Sequence, residues 1–237
     1  MFDLSQRSTT QEIMDTKTMS IPEMERTLSF LDFTNRFFGG NRIILNYFER
    51  CSKKWDKNKI IQILDIGTGS GDLCCFLAQW AKRKQFSVSI VGIDIVPEII
   101  QIAKKKTNSY SNISIQQITI FELIEKKEKF DYVIGNLLLH HIEIPDQIKF
   151  LQTLDLISQR GIVLSDLQRS WVSFFSIGFI SYLSLNPIVM NDGPLSVRRA
   201  FTAPDLEELK NKSKLSYLQV KKEPWFRISL SGEKPHV

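Results

Sequence analysis

Two adjacent histidines are the side chains of this sequence best suited to moving a proton. The chain of 237 residues contains three histidines, and two of them are His140 and His141. Both follow an apolar run at residues 130–135 that predicts a buried strand. An imidazole changes its charge near neutral pH, so either histidine is a candidate general base. A core histidine with satisfied hydrogen bonds is the alternative interpretation for each.

A carboxylate at the end of another predicted strand completes the candidate catalytic residues. Asp166 follows the apolar run at residues 161–165, and ligands bind open α/β sheets at the carboxyl ends of the strands. Asp166 could orient a histidine, bind a substrate, or cap a helix that begins near Ser170. If the histidines lie in a regular helix, His140 and His141 point about 100° apart, so only one is expected to reach the substrate.

A glycine-rich turn is predicted between a buried strand and a helix. The segment Asp65-Ile66-Gly67-Thr68-Gly69-Ser70-Gly71-Asp72 follows the apolar run at residues 60–64 and precedes a mostly apolar stretch at residues 73–80. Its spacing differs from the G-x-G-x-x-G of dinucleotide sites. Its two aspartates, without Lys or Arg, would repel a pyrophosphate and favour a ligand with an ammonium and a sulfonium. S-adenosylmethionine (SAM) carries both, whereas an ordinary turn capped by Asp72 would bind nothing.

Another acid ends the predicted strand at residues 88–93. Asp94 lies 23 residues after Gly71, about where an acid accepts hydrogen bonds from both hydroxyls of a ribose. Because dinucleotide enzymes share such an acid, only the glycine turn separates the two ligand classes. Together the two features predict SAM as the cofactor, bound by Asp65, Gly67, Thr68, Gly69, Gly71, Asp94 and Ile95.

The glycine turn and its neighbours resemble a known family. Residues 63–71 resemble motif I of the class I SAM-dependent methyltransferases, and Asp94 matches the ribose-binding acid of that family. Residues 130–136 resemble its fourth strand, and residues 139–142 resemble the segment that follows. The resemblance covers about residues 59–166. It implies an enzyme that transfers a methyl group from SAM.

The resemblance also implies roles for single residues around the fourth strand. It implies that Asn136 and Leu137 contact the cofactor. His141 lies where the resembled enzymes most often carry histidine, so it is our first candidate for the general base, with His140 in reserve.

The sequence departs from the family at the expected adenine site. Near residue 119 the family usually carries an acid that accepts from the adenine amine, whereas this chain has Thr119. We expect the Thr119 hydroxyl or the adjacent main chain to bond the adenine edge, while Ile120 packs against the ring. Glu122 is the alternative acceptor.

A narrower likeness runs along the whole chain. It is similar to the small methyltransferases associated with type III polyketide synthases, which are near the ubiquinone and menaquinone methyltransferases. That likeness implies a phenolic, quinone-like or polyketide-type small molecule as the acceptor, methylated on oxygen. A methyltransferase of nucleic acid or protein and a non-catalytic SAM-binding protein are the alternatives. The likeness is carried by Gln6-Arg7-Ser8, Glu12-Ile13-Met14-Asp15 and residues 35–40, 165–170 and 192–201.

The first 58 residues are predicted to form an N-terminal arm and a helical cap, and residues 59–237 the SAM-binding domain. A capping box and a proline at residues 20–23 predict a helix that ends at Gly39-Gly40. A second helix is expected from Arg42 to about residue 55. In the resembled family such a pair of helices caps the cofactor, so Asn35 and Arg36 are candidate substrate contacts.

Strands and helices alternate through the rest of the chain. This order predicts an α/β fold with a doubly wound, mostly parallel seven-stranded sheet of the Rossmann-like methyltransferase type, which ends in an antiparallel hairpin. Further strands are expected at residues 113–117, 215–221 and 225–230, and helices at residues 73–83, 97–106, 145–158 and 204–212.

An uncharged segment follows the predicted fifth strand. Residues 171–190 are rich in Trp, Phe, Ile and Leu, and their length alone would allow a membrane span. Serines, an asparagine and a proline dilute the segment, so we predict a helical lid insertion at about residues 170–200, with weak membrane-surface contact as the alternative. A turn is expected at residues 191–194. Arg169 and Arg199 are candidates for binding an acidic group of the substrate.

Composition narrows the remaining classes. The net charge of +5 and a pI near 9.0 come from basic residues spread over predicted helix ends and turns, not from one stripe, which disfavours nucleic acid as a partner. The three cysteines lack the spacing of a zinc site or a disulfide framework. We therefore expect no metal and, without a secretory signal at the first residues, a cytoplasmic location.

Overall fold

A single mixed sheet organises the part of the chain that the computed structural model describes, residues 3–235. The strand order is β3-β2-β1-β4-β5-β7-β6. Strands β1 to β5 pair in parallel, whereas β7 is antiparallel to both β5 and β6. The doubly wound prediction and the terminal hairpin are confirmed. The strands are β1 (Ile60–Ile66), β2 (Ser87–Asp94), β3 (Ile113–Gln117), β4 (Phe130–Asn136), β5 (Ser158–Leu167), β6 (Gln219–Glu223) and β7 (Arg227–Glu233).

Ten α-helices surround the sheet in the described residues. Single 3₁₀ turns follow α3 at Ser52–Lys54 and β4 at Leu139–His141, and another precedes α7 at Ile144–Asp146. The α-helices are α1 (Ile13–Thr16), α2 (Ile21–Phe37), α3 (Gly40–Cys51), α4 (Asp72–Lys84), α5 (Pro97–Thr107), α6 (Ile120–Glu125), α7 (Gln147–Ile157), α8 (Trp171–Leu183), α9 (Pro187–Arg199) and α10 (Ala203–Lys212).

The apolar runs in the strands are explained by burial of the sheet on both faces. In β1, Ile61 and Ile63 pack with Phe48 of α3 and Trp80 of α4. Side chains alternate along a strand, so Leu64 and its neighbour Ile66 face the other side, where they belong to a core shared with α6, α7 and α10. Each layer of helices therefore buries one face of the same strands, as a parallel sheet requires.

The N-terminal segment forms the predicted pair of helices. Glu23 accepts a hydrogen bond from the main-chain N–H of Ser20 at 3.1 Å, which stabilises the start of α2. The chain turns between α2 and α3 at Gly39, whose φ of 82° lies in the left-handed region. Ahead of this pair, α1 packs against α9, and Asp192 accepts from the main-chain N–H of Ile13 at 2.9 Å.

The turn predicted at residues 191–194 is wrong, because α9 runs straight through it. Asn186 caps this helix by accepting from the N–H of Ile188 at 3.0 Å. A Cβ added at Gly193 would lie 2.0 Å from Oγ of Ser181, so the glycine lets α8 and α9 approach closely. Packing between these helices outweighs the turn propensity of an Asp-Gly-Pro sequence.

The apolar segment is divided between α8 and α9. Within residues 3–235, no helix has both the length and the apolar character needed to cross a membrane.

Candidate active site

A large cavity opens at the carboxyl ends of the parallel strands. The final residues of β1, β2, β4 and β5 all line it, namely Ile66, Asp94, Asn136 and Leu167. The arm, α2, α8 and α9 supply the remaining walls. Its volume of about 680 Å³ lies within the range of small-molecule sites.

The glycine turn forms one wall of the cavity. Gly67, Gly69 and Gly71 have φ values of 63°, 54° and 79°, a region that costs residues with a Cβ free energy. Space is restricted as well, because a Cβ on Gly67 would lie 2.9 Å from Cδ1 of Leu138. At these three glycines the cavity wall is therefore formed by main-chain atoms, without a side chain.

Asp65 supports the turn from beneath. Its carboxylate accepts from the Thr68 hydroxyl at 2.8 Å and lies 3.2 Å from Sγ of Cys74. Burial raises the pKa of Asp65 to about 6, because only neutral groups donate to it. Thr68 is thereby held against the strand, and its N–H bonds the carbonyl of Ile93 at 3.0 Å.

Asp94 lies beside the turn, at the end of β2. One carboxylate oxygen accepts from the N–H groups of Ile95 and Val96 at 2.8 and 3.1 Å. Burial raises the pKa of this group. A carboxylate has about four lone-pair sites, so Asp94 keeps capacity for two ribose hydroxyls. Ile95 is exposed and also lines the cavity.

The cap is tied to the glycine turn by charged hydrogen bonds. Ser70 donates to Asp32 of α2 at 2.6 Å, and Asn41 of α3 donates to Asp72 at 2.9 Å. Lys106 lies 2.7 Å from the Asp32 carboxylate and 3.3 Å from that of Asp72. The cap and the turn are therefore coupled.

Thr119 lines the cavity, as an adenine contact requires, but Thr119 and Glu122 also cap a helix that the sequence analysis did not predict. Thr119 precedes α6, its hydroxyl donates to the Glu122 carboxylate at 2.7 Å, and its N–H donates to the same carboxylate at 2.8 Å. Both side chains are therefore engaged in a capping box. Ile120 is buried and lines the cavity, as its expected packing role requires.

The end of β4 carries Asn136 and Leu137 into the cavity wall. Leu137 has a φ of 55°, an uncommon conformation for a residue with a branched side chain. Its N–H bonds the carbonyl of Ser165 at 2.8 Å. This kinked main chain leads directly into the 3₁₀ turn that carries the histidines.

Both histidines face the cavity. Their ring centroids lie 4.2 Å apart with an interplanar angle of 36°, and both line the wall. The segment is a single 3₁₀ turn and not a regular α-helix, so the condition for expecting only one of them at the substrate is not met, and which histidine reaches the substrate stays a prediction.

His140 is buried between two carboxylates. Its Nδ1 lies 2.6 Å from Oδ1 of Asp166, and its Nε2 lies 3.5 Å from Oε1 of Glu12. Burial alone would lower the pKa of His140, but Asp166 and Glu12 outweigh it and raise the pKa to about 9. His140 is therefore a cation at neutral pH and cannot accept a proton there.

His141 is paired with a carboxylate from the arm. Its Nδ1 lies 2.9 Å from Oδ1 of Asp15, and Arg199 donates to Oδ2 of Asp15 at 2.7 Å. Burial would raise the pKa of Asp15, but His141 and Arg199 outweigh it and lower the pKa to about 2. An ionised Asp15 accepts a hydrogen bond from Nδ1–H of His141, which leaves Nε2 as the nitrogen with a free lone pair.

Asp15 is a functional candidate that the sequence reading missed. The available signal was the i, i+3 spacing of Glu12 and Asp15, which places both carboxylates on one side of a helical turn. Asp166, which the sequence offered as an acid that could orient a histidine, is hydrogen-bonded to His140 and not to His141. The helix-cap interpretation of Asp166 falls away, because Ser170 caps α8 by accepting from the N–H of Ser173 at 3.1 Å.

The four candidate substrate contacts divide into two groups. Asn35 and Arg199 line the cavity. Arg36 is exposed and lies outside the cavity wall. Arg169 is also outside that wall; it is buried, donates to the carbonyls of Leu4 and Ala200 at 3.1 Å each, and pairs with Asp205 at 3.1 Å. Arg169 therefore ties the arm to the domain.

One group of side chains in the described residues has the donors for a metal ion. Glu12, His140 and His141 each offer one ligand atom, and these atoms lie within 4.8 Å of one another. A cation there would face the Arg199 guanidinium, which lies 3.8 Å from the Glu12 carboxylate. The positive charge of Arg199 beside Glu12 disfavours a metal cation at this cluster.

Comparison with known proteins identifies the class of this fold and cavity. Residues 57–173 match the family described as methyltransferase domain. The chain is 26% identical over 145 residues to a demethylmenaquinone methyltransferase of Bacillus licheniformis, which covers 57% of this chain and 61% of that one. It is 28% identical over 116 residues to a ubiquinone biosynthesis O-methyltransferase of Bartonella bacilliformis, with coverages of 48% and 44%.

A solved structure shares the whole fold. A SAM-dependent methyltransferase of Aquifex aeolicus matches with a TM-score of 0.58 at 14% identity, over 91% of this chain and 99% of that one. Residues 57–173 therefore form a methyltransferase domain, and the chain has the fold of a SAM-dependent methyltransferase. Its matches span 61% and 44% of the lengths of the two curated relatives.

Proposed function

We propose that this protein transfers the methyl group of SAM to an oxygen of a small phenolic, quinone-like or polyketide-type molecule. The observation that carries the proposal is the Asp15–His141 pair, which lines the same cavity as the glycine turn. A base is needed only where the acceptor must lose a proton. A phenol or enol meets that condition, and a histidine oriented by a carboxylate suits it.

The cofactor is proposed to lie along the glycine turn, with its ribose on Asp94. In this arrangement the main chain at Gly67, Gly69 and Gly71 approaches the ligand closely, since no Cβ intervenes. Asn136 and Leu137 flank the cofactor from the end of β4, and Ile120 packs against adenine. Because the side chains of Thr119 and Glu122 cap α6, the adenine amine is left to main-chain carbonyls.

The residues of the chain would perform positioning and proton removal. Bound SAM supplies an electrophilic methyl group. The cavity walls hold the acceptor oxygen in reach of it, and such positioning provides much of the rate acceleration in group transfer. His141 takes the acceptor proton at Nε2, while Asp15 stabilises the imidazolium that results. His140 and Asp166 are positioning groups, since their charges fix the 3₁₀ turn.

The acceptor is proposed to be mainly apolar and covered by α8 and α9. Ile177 and Ile180 of α8 and Val189 of α9 line the cavity, which suits an aromatic or alkyl-bearing molecule. The protein would then consist of an N-terminal arm and cap at residues 1–58 and a SAM-binding domain at residues 59–237. Within that domain, α8 and α9 would act as a lid over the cavity. Membrane-surface contact is the alternative, because α8 also exposes Trp171 and Phe175.

Two relatives support the acceptor class. The named functions of these proteins are demethylmenaquinone methylation and an O-methylation in ubiquinone biosynthesis. Both concern quinone-related small molecules, and the apolar wall of this cavity suits that class.

The direct test is methyl transfer from labelled SAM to a panel of phenols, naphthols, quinones, phenolic polyketides and tRNA, with Asp94→Ala as the control. We expect labelled phenolic products whose label is on oxygen, as mass spectrometry would establish. Methylation of tRNA alone, or a label on ring carbon in every product, would overturn the proposal.

A further inference from the structure

A buried arginine forms one corner of the cavity and has no role in the chemistry described above. Arg227 is the first residue of β7, its side chain is 3% exposed, and it lines the cavity. Its guanidinium donates to Oδ1 of Asn35 at 2.7 Å and to Oδ1 of Asn136 at 3.5 Å. Both partners are neutral amides.

This arginine differs from the other buried arginines in its charge compensation. Arg169 lies 3.1 Å from Asp205, and Arg199 lies 2.7 Å from Asp15. Within residues 3–235, no carboxylate lies within the 4.0 Å of an ion pair with Arg227. Asp166 is the carboxylate whose field acts on it, but that group is bonded to His140. Arg227 therefore carries an uncompensated charge.

Burying an unpaired charge is expensive. The effective penalty is several kcal/mol for an ion without a counter-ion. Burial lowers the pKa of Arg227 to about 10, which still leaves the guanidinium charged at neutral pH. Two amide oxygens satisfy a minority of its five donors. An anion in the cavity would supply the countercharge and further acceptors.

The surroundings of Arg227 add to its positive potential. A Cβ on Gly40, the first residue of α3, would lie 2.7 Å from Oδ1 of Asn35 and 3.2 Å from Nη2 of Arg227. The N-terminus of this 12-residue helix therefore lies beside the guanidinium, and helix N-termini favour negative charge. A side chain at this point would displace Asn35 or Arg227.

Aromatic side chains border the same corner. Trp225 and Phe226 form the turn before β7 and line the cavity, with φ values of 58° and 62°. The ring of Trp225 lies 5.8 Å from that of Phe38 in an edge-to-face arrangement. The cavity wall next to Arg227 along the chain is therefore aromatic.

We propose that Arg227, held by Asn35 and Asn136, binds a carboxylate in the cavity. The carboxylate comes from one of two sources, the amino-acid group of SAM or the acceptor molecule. The inference rests on the proposed function, because it takes the cavity as the place where cofactor and acceptor meet. Arg227 is a binding residue in both cases, and its planar fork pairs with both oxygens of the carboxylate.

The first experiment measures binding of S-adenosylhomocysteine (SAH) and of its decarboxylated analogue by calorimetry. The proteins are wild type, Arg227→Gln, Arg227→Lys and the control Arg42→Gln, whose side chain is exposed on α3 and lies outside the cavity wall. If SAM supplies the carboxylate, Arg227→Gln lowers SAH affinity at least tenfold, whereas the analogue binds wild type and this variant equally. The SAH affinity of Arg227→Lys falls between those of wild type and Arg227→Gln. If Arg227→Gln does not fold, Arg227→Lys is measured in its place.

The second arm titrates the SAH-saturated proteins with 4-hydroxybenzoate and the neutral 4-hydroxybenzamide. If the acceptor supplies the carboxylate, SAH affinity is unchanged in Arg227→Gln, and the wild-type preference for the benzoate is lost. Arg227 variants that match wild type in both arms overturn the inference. Methyl transfer by wild type in the acceptor panel is scored separately from these binding measurements. Either the proposed function or this inference can therefore fail while the other stands.

Discussion

Replacing Asp65 by asparagine should stabilise the protein at neutral pH. The buried carboxylate has a pKa of about 6 against its usual 3.8, and each pKa unit corresponds to about 1.36 kcal/mol. The ionised form therefore costs up to about 3 kcal/mol in the folded state. Asparagine keeps the shape and an acceptor for the Thr68 hydroxyl without the charge. The variant should still bind SAH more weakly, since the turn then lacks its negative charge.

The sign of the pH dependence follows from the direction of the shift. Between pH 4 and 6 the folded protein binds the Asp65 proton and the unfolded chain releases it, so wild type loses stability as the pH rises through this window. Asp65→Asn lacks that loss. The free energy difference should be near zero at pH 4 and reach its full size above pH 7.

Urea denaturation of wild type and Asp65→Asn from pH 4 to 8 measures this difference, with the exposed Glu125→Gln as the control. At neutral pH the variant should melt about 2 to 4 °C higher for each kcal/mol gained. A variant that is less stable than wild type at pH 7.5, or a difference that does not change with pH, would refute the assigned cost of this carboxylate.

Three further predictions concern the walls of the cavity. Asp94→Ala should weaken SAH binding by about 1 to 3 kcal/mol, the cost of unpaired polar groups; calorimetry that finds equal affinity would refute the ribose contact. His140→Gln should remove a loss of stability that wild type shows as the pH rises from 6.5 through about 9; parallel stability curves would count against the raised pKa. Asp32→Asn should speed SAH release roughly threefold to tenfold in stopped flow, because it weakens a charged hydrogen bond between cap and turn by about 1 kcal/mol. An unchanged rate would show that the cap and the turn are not coupled.

The features that sequence reasoning predicted correctly depend on local pattern. The apolar runs, the G-x-G-x-G spacing and the position of Asp94 are readable because a buried strand and a tight turn each restrict residue types within a few positions. The capping box before α2 is equally local. Together with the family resemblance, these signals were sufficient for the doubly wound, mostly parallel sheet and for the carboxyl edge where the cavity lies.

Most of the errors have one physical origin, which is contact between distant segments. Asp15 lies 126 residues from His141 along the chain, and Arg227 lies 192 residues from Asn35. Neither pairing leaves a periodic signal. The turn expected near Gly193 became helix because α8 packs on it. The helix α6 was missed for a separate, local reason, because six residues are too few to show a helical period.

The proposal that His141 is the general base can be tested with wild type and His141→Ala. The rate of methyl transfer from labelled SAM to a phenolic acceptor is measured for both proteins across pH 5 to 9. SAH affinity is measured in parallel by calorimetry. If His141 is the base, the variant turns over about 10² to 10⁴ times more slowly. Its SAH affinity barely changes, because His141 acts on the acceptor and not on the cofactor. Equal turnover of the two proteins across this range would show that His141 is not the base.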